Sequence, residues 1–298
     1  MNILITGGTG FVGNELRRML LKEGHNLVIV TRSPKKYEDE NAQNQKFVSW
    51  EDDLVVEIEK MDAVINLAGE SIFGQRWTEE VKKRIMDSRI RSTERLVEAM
   101  EKAGNRPEVF VSASASGYYG DRGDEVLTES ESPSDDFLAR VCVQWEKASH
   151  KAEEIGVRVV NPRIGIVLEK GGGALEKMIP AFQFFLGGPI GNGEQYMSWV
   201  HRTDLCKAIV FPLHNEEMSG PYNVNSPNPV TMNEFSKILG DVMGRPSIFR
   251  VPKFALNIIL GEAAKPVTDS IRMQPKKLQV AGFEFRFQEL EEALADIL

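Results

Sequence analysis

Short apolar runs alternate with amphipathic stretches and glycine turns through the first half of the chain. Asn2-Ile3-Leu4-Ile5-Thr6 has the continuous, β-branched apolar character of a strand buried on both faces. Gly7-Gly8-Thr9-Gly10-Phe11-Val12-Gly13 follows, then a helical pattern that puts Phe11, Leu16, Met19 and Leu20 on one face until Gly24 ends it. A second apolar run, Leu27 to Val30, stops at Thr31-Arg32, which completes a strand–turn–helix–strand unit. The polar stretch Ser33 to Gln45 reads as a solvated loop, and Phe47 to Trp50 as a third strand.

The same alternation continues. Ala63 to Gly69 reads as a fourth strand running into a small-residue turn, and Thr78 caps a long amphipathic helix or helix pair opened by Glu79 and Glu80. Val109 to Val111 is a fifth strand, followed by a run of hydroxyls and glycines from Ser112 to Gly120. From Asp135-Asp136 a helix spaces Phe137, Val141, Cys142 and Trp145 on one side and ends near Gly156; Val157 to Val160 is a sixth strand. Strands separated by helical patterns predict an α/β fold, a doubly wound parallel sheet (Rossmann) with helices on both faces.

From about residue 170 the pattern is less regular, as in segments that cover a ligand. Glycine loops at Gly171 to Gly173 and Gly187 to Gly191 flank a short helix; Tyr196 to His201 returns as a strand, and Thr203 or Asp204 caps a helix beginning at Leu205. Gly220 to Val224 is a further strand, and Thr231 to Glu234 has capping-box spacing. The expected division is a dinucleotide-binding domain over 1–245, with ligand-covering insertions from about 170, and a small, mostly helical C-terminal domain over 246–298.

The glycine turn carries the first chemical signal. Gly7 permits the tight turn off the strand, Gly10 lets backbone N–H groups approach phosphates, and Gly13 lets the helix pack close to the sheet. The helix N-terminus then offers free N–H groups and a positive dipole end to a pyrophosphate. At the end of the second strand an acidic residue would hold a ribose 2′-hydroxyl. This chain has Thr31-Arg32 instead, with Ser33, Lys35 and Lys36 and no carboxylate before Glu38, which points to NADP through the 2′-phosphate; the alternative is that Arg32 lies across the adenine face.

Composition narrows the partners. The 298 residues are 42% hydrophobic, enough for a large core, and the net charge of −8 argues against a nucleic-acid or anionic-membrane surface. Two cysteines are too few for a disulfide framework, and the four histidines are scattered rather than spaced as metal ligands. The first residues lead straight into a strand, without an export signal, and no stretch reaches the ~20 apolar residues of a membrane span. These features together predict a soluble cytoplasmic protein with a small-molecule substrate.

Taken together, Gly7 to Gly13, Thr31-Arg32-Ser33, Asn66 to Glu70 with Arg76-Trp77, Ser88-Arg89, Ser114 to Gly120, Trp145-Glu146, Trp199-Val200-His201 and Gly282 to Phe285 resemble the extended and atypical short-chain dehydrogenase/reductases. More narrowly, they are similar to the nucleotide-sugar-epimerase-like family that carries a small C-terminal domain of unknown function. The resemblance implies a Ser, a Tyr, a Lys four residues after it and an upstream Asn as the catalytic set. Ser114 matches the Ser, but Leu138 falls where the Tyr should be, Cys142 where the Lys should be and Arg89 where the Asn should be. The resemblance to the atypical subgroup implies these same replacements.

The candidate catalytic residues are therefore Ser114, to hold a reacting oxygen, with Tyr119, Cys142 and Arg89; the proton falls to Cys142, Tyr119 or a bound water. Cys142 is either a thiolate activated by Arg89 or a core residue on an apolar helix face. Candidate cofactor contacts are Gly7, Gly8, Thr9, Gly10, Phe11, Val12, Gly13, Thr31, Arg32, Trp50, Leu67, Ala68, Gly69, Glu70 and Arg163. Arg163 meets an anionic ligand or salt-bridges to a neighbouring loop, and Glu70 and Arg76 contact ligand or stay on the rim. His201 and Asp204 match a motif of sugar-nucleotide epimerases, or form a helix cap with a buried His beside it. Two functions follow: an NADP-binding oxidoreductase or epimerase-like enzyme on a small polar substrate, free or nucleotide-linked, or a non-catalytic NADP-binding redox sensor or scaffold of the kind tied to cell division. By analogy of fold, a homodimer would form through helices near Val81 to Lys102 and Phe137 to Glu154.

Overall fold

Asn2–Thr6 (β1) is the centre of a parallel sheet, and Ile3, Leu4 and Ile5 have no solvent exposure. The computed structural model describes residues 1–298, the side chains of Ala255, Asn257, Ile259 and Leu260 excepted. Around β1 stand Asn26–Thr31 (β2), Gln45–Ser49 (β3), Ala63–Asn66 (β4), Val109–Ser112 (β5), Arg158–Ile164 (β6) and Gly220–Val224 (β7). Their order is β3-β2-β1-β4-β5-β6-β7, with every adjacent pair parallel. The order reverses between β1 and β4, and a doubly wound sheet opens its ligand crevice at that switch point.

Successive side chains of β1 feed opposite layers, as strand geometry requires. Ile3 and Ile5 pack with Leu16 and Leu20 of Phe11–Lys22 (α1) and with Leu205 and Ile209 of a later helix; Leu4 packs with Leu96 and Met100 of Glu79–Lys102 (α2). The expected helix or helix pair after Thr78 is this one 24-residue helix, capped by the Thr78 hydroxyl, which accepts the Val81 N–H at 3.3 Å. Phe137–His150 (α3) is capped by Asp136, whose carboxylate accepts the Ala139 N–H at 2.9 Å.

Several local expectations are corrected. Within Ser33 to Gln45, Pro34–Glu40 coils into a 3-10 segment and β3 already begins at Gln45, because Ala42 bridges to Gln45 and Gln45 pairs with Leu27. Trp50 lies just past the end of β3. Strand β6 runs on through Pro162: pairing with β5 stops at Val160 and pairing with the two-residue strand Ser114–Ala115 starts at Arg163, so the missing N–H falls in the gap.

Beyond β6, Gly173–Gln183 (α4) and Met232–Met243 (α6) build a second lobe, whereas Arg202–Val210 (α5) lies beside α1 on the sheet. Thr231 and Glu234 close the expected capping box on α6. Neither Thr203 nor Asp204 caps α5. His201 does so, its Nδ1 accepting the Thr203 N–H at 3.1 Å, while the Asp204 carboxylate accepts the N–H groups of Arg286 at 3.1 Å and Phe287 at 2.8 Å. The bland alternative for this motif, a cap and a buried His, is the one realised: both side chains dock the tail.

The tail holds Lys253–Leu260 (α7) and Leu290–Ile297 (α8), and each buried cluster it enters is shared. Phe287, Leu290 and Leu294 pack with Phe182, Trp199 and Phe235 of the second lobe, Phe285 joins the core under α1, and Ala263 packs with Trp77 and Phe137. Among the described residues no helix is long and apolar enough to cross a membrane.

Candidate cofactor and substrate cleft

A cleft of about 650 Å³ opens at the carboxyl ends of β1, β4 and β5. One wall is the glycine turn. Gly7 has φ +69°, and a Cβ there would lie 2.5 Å from the Leu67 carbonyl oxygen; a Cβ on Gly13 would lie 2.1 Å from the Gly7 carbonyl oxygen. Both positions thus admit only glycine, one for its conformation and one for contact. Helix α1 starts at Gly10 with no side-chain cap and no acid in its first turn, so its first N–H groups and positive dipole end stay open to an anion.

Of the expected cofactor contacts, Gly7, Gly10, Phe11, Val12, Gly13, Leu67, Gly69 and Glu70 lie on the cleft wall. Gly8 and Thr9 do not: Gly8 packs toward Ile29, and the Thr9 carbonyl accepts the Asn14 amide at 3.3 Å. The Ala68 N–H turns back to Thr6 Oγ1 and Asn66 Oδ1, both at 3.3 Å. Thr31 is buried at the end of β2 and Arg32 beside it is exposed, with no hydrogen-bond or ion-pair partner among the described residues. Trp50 is off the cleft wall; its carbonyl accepts an N–H of Arg95, whose guanidinium sits 5.5 Å from the indole centroid. Glu70 gives its carboxylate to Arg84 at 3.2 Å, and Arg76 is exposed near Gly261.

Arg163 is the clearest correction among these. It is sealed in the core, not at the cleft, with Nε donating to Glu146 Oε1 and Nη2 to Glu146 Oε2, both at 2.9 Å. Burial by itself depresses its pKa, but the hydrogen bonds and charge of Glu146, helped by Tyr119, outweigh that and raise it. Neither expected role is realised as stated: Arg163 meets no anion of the cleft, and its ion-pair partner lies on helix α3 rather than on a neighbouring loop.

Tyr119 belongs to the same buried cluster. Its hydroxyl donates to Asn223 Oδ1 at 2.7 Å and accepts Arg163 Nη1 at 3.0 Å, and the side chain is absent from the cleft wall. Burial pushes its phenol up to about 12, against the pull of Arg163. A proton donor for the cleft must be able to reach it, and Tyr119 is turned away.

Cys142 and Ser114 do line the cleft. Of the two readings of Cys142, the structure favours a core thiol over one activated by Arg89: burial, with the Glu146 charge next, pushes it up to about 12, and the Arg89 contribution is too small to reverse it. Its Sγ lies 3.6 Å from the Ala115 carbonyl oxygen. Ser114 donates its hydroxyl to Glu146 Oε1 at 2.6 Å, so Arg163 and Glu146 together set its orientation from beneath. Leu138 is also on the wall, close against Gly117.

The sequence reading missed the side of the cleft built by the second lobe and tail. Lys177 of α4 lines it, as do Lys265, Pro266 and Asp269, and Asp136 faces Lys265 at 2.9 Å across the two segments. Of these charged residues, only Asp136 entered the sequence reading, as part of the start of a helix. Also missed was the polar network under the crevice: Thr6 donates to Asn66 at 2.6 Å, and the Asn66 amide donates to Thr93 at 2.8 Å and Ser112 at 3.2 Å, tying the ends of β1, β4 and β5 to α2.

Comparison with known proteins places this geometry. The model of the NAD dependent epimerase/dehydratase family matches residues 3–225, and a domain of unknown function, DUF1731, matches residues 251–297. The epimerase family protein YfhF of Bacillus subtilis is 39% identical over 300 residues, covering 100% of this chain and 98% of its own. The chloroplastic SDR39U1 homolog of Arabidopsis thaliana is 40% identical over 303 residues, covering 100% of this chain and 87% of its own. Among solved structures, human epimerase family protein SDR39U1 (isoform 2) with NADPH superposes with a TM-score of 0.88 at 30% identity, covering 100% of this chain and 99% of that one.

Proposed function

Because this chain belongs to the NAD dependent epimerase/dehydratase family, we propose that it binds NADP in the cleft and acts as an oxidoreductase or epimerase-like enzyme on a small polar substrate, free or nucleotide-linked. The observation that carries this reading is the pairing of an uncapped α1 N-terminus behind Gly7 and Gly13 with an unpartnered Arg32 at the end of β2. The first fits a pyrophosphate and the second the extra 2′-phosphate. The structure of human SDR39U1 with NADPH supports the same choice of dinucleotide. When bound, the nicotinamide supplies a hydride donor or acceptor.

The protein's own part is to orient and to enclose. Ser114, held by Glu146, presents its oxygen to the cleft; Leu138 and Cys142 form a neutral apolar floor beside it. The test is a fluorescence titration of the purified protein with NADPH and NADH. NADPH should bind at least about tenfold tighter, and its fluorescence should rise on binding; no binding of either nucleotide overturns the reading. A screen of carbonyl substrates with NADPH then tests turnover.

The second reading is a non-catalytic NADP sensor or scaffold, favoured by the side chains at the expected Tyr and Lys positions. Leu138 carries no proton, and the Cys142 thiol stays neutral because burial pushes it up to about 12. Arg32→Ala should then abolish the cellular effect while Ser114→Ala leaves it intact; equal harm from both rejects the sensor.

A further inference from the structure

The cleft wall carries a cation that forms no ion pair among the described residues. Arg89 projects from the middle of α2 onto the cleft wall. Its Nη1 donates to two backbone carbonyls, Glu70 and Ile85, each at 3.0 Å. The guanidinium carbon lies 5.2 Å from the ring centroid of Trp145, and a Cβ on Gly69 would come within 3.0 Å of Arg89 Cζ. Four groups on three segments therefore set its plane.

Nε and Nη2 have no hydrogen-bond partner, and no carboxylate lies within ion-pair distance of Arg89, among the described residues. Two acids of the same cleft are engaged elsewhere: Glu70 with Arg84 at 3.2 Å and Asp136 with Lys265 at 2.9 Å. Burial lowers the Arg89 pKa from its ordinary value, the direction of a cation short of counter-charge, although Cys142 and Glu70 pull the other way. A half-buried charge still gains from an opposite charge beside it, and a planar guanidinium held in place is pre-organised for a two-oxygen anion.

We propose that Arg89 is the oxyanion-binding residue of the cleft, receiving a carboxylate of the substrate on the Nε–Nη2 edge of its fork. The proposal rests on the reading that the cleft holds a nicotinamide dinucleotide and its substrate, and it narrows that substrate to an acid. The oxyanion chemistry is shared with the phosphates of the dinucleotide itself. Placement favours the substrate: Arg89 lies over Trp145 beside Cys142, whereas the open N–H groups for phosphate belong to α1.

The test uses oxalate as the probe acid, titrated calorimetrically into full-length protein with and without saturating NADP⁺, for the native chain, Arg89→Gln and Arg89→Lys. NADPH titrations of the same three proteins run in parallel. Oxalate should bind the loaded native protein, and Arg89→Gln should weaken it about 10- to 100-fold, the size of hydrogen bonds to a charged group. Arg89→Lys should keep part of that affinity, with NADPH binding altered less than about threefold. Oxalate binding that is absent, or equal in native and Arg89→Gln proteins, overturns the proposal. A loss confined to NADPH binding assigns Arg89 to the cofactor phosphates and overturns the substrate assignment. If the native protein binds no NADPH, the cofactor reading fails, and oxalate titration of the unloaded proteins still decides the oxyanion site. Should Arg89→Gln fail to fold, judged by circular dichroism, the Arg89→Lys comparison carries the decision.

Discussion

Arg163 and Glu146 clasp each other through two parallel hydrogen bonds of 2.9 Å inside the core, and the same Glu146 oxygen that meets Arg163 Nε also accepts the Ser114 hydroxyl. Helix α3 is thereby tied to strand β6 directly beneath the cleft. Removing one partner strands a buried charge, which costs about 3–5 kcal/mol. Arg163→Met and Glu146→Leu, each made singly, should therefore lower stability by that order in urea unfolding. The double variant should recover much of the loss, because no lone charge remains. Additive losses would mean that the two side chains act independently.

Asp269 gives the protein a pH-dependent stability. Burial, reinforced by the like charges of Asp121 and Asp136 and opposed by Lys265 and Lys253, raises its carboxyl from 3.8 to about 6. The folded state thus binds this proton more tightly than the unfolded chain does. The associated stability is complete below about pH 4 and is lost as the pH rises through about 6. Asp269→Asn keeps the shape without the titration, so its Tm should exceed that of the native protein at pH 8 and match it near pH 4. Parallel melting curves at both pH values would refute the assignment.

Both cysteines should be chemically quiet. Burial pushes Cys142 and Cys206 alike up to about 12, so the thiolate that attacks a disulfide reagent is scarce at neutral pH. Native protein should react with Ellman's reagent only at the rate of unfolding, and urea should release both thiols together. Rapid modification of Cys142 in the folded state would restore it as a nucleophile.

Arg32 should determine nucleotide choice. With no partner among the described residues, Arg32→Ala is expected to leave melting unchanged and to weaken NADPH by about 10- to 100-fold, while NADH binding barely changes. Equal weakening of both nucleotides would move the contribution of Arg32 from the 2′-phosphate to the adenine face.

The glycine turn was legible because its demands are local: φ +69° at Gly7 and the contact of Gly13 with the Gly7 carbonyl arise within one short loop and leave no other residue possible. The parallel strands were legible for a similar reason, since burial on both faces forces a continuous apolar run such as Ile3 to Ile5. Arg163 and Tyr119 were misplaced because a motif names a residue without naming its partner. Glu146 stands 17 positions from Arg163, and Asn223 stands 104 from Tyr119, so only the packed sheet brings them together.

The sequence by itself determined the parallel α/β sheet, the glycine turn after β1 and the basic residue that follows β2. Tertiary structure decided which polar side chains face the cleft and which are spent on the core, because a buried charge is committed by whichever partner folding delivers to it. It also brought Lys265 and Asp269 of the tail to the same cleft as Arg89 of α2, and left that guanidinium between two backbone carbonyls and the open cleft.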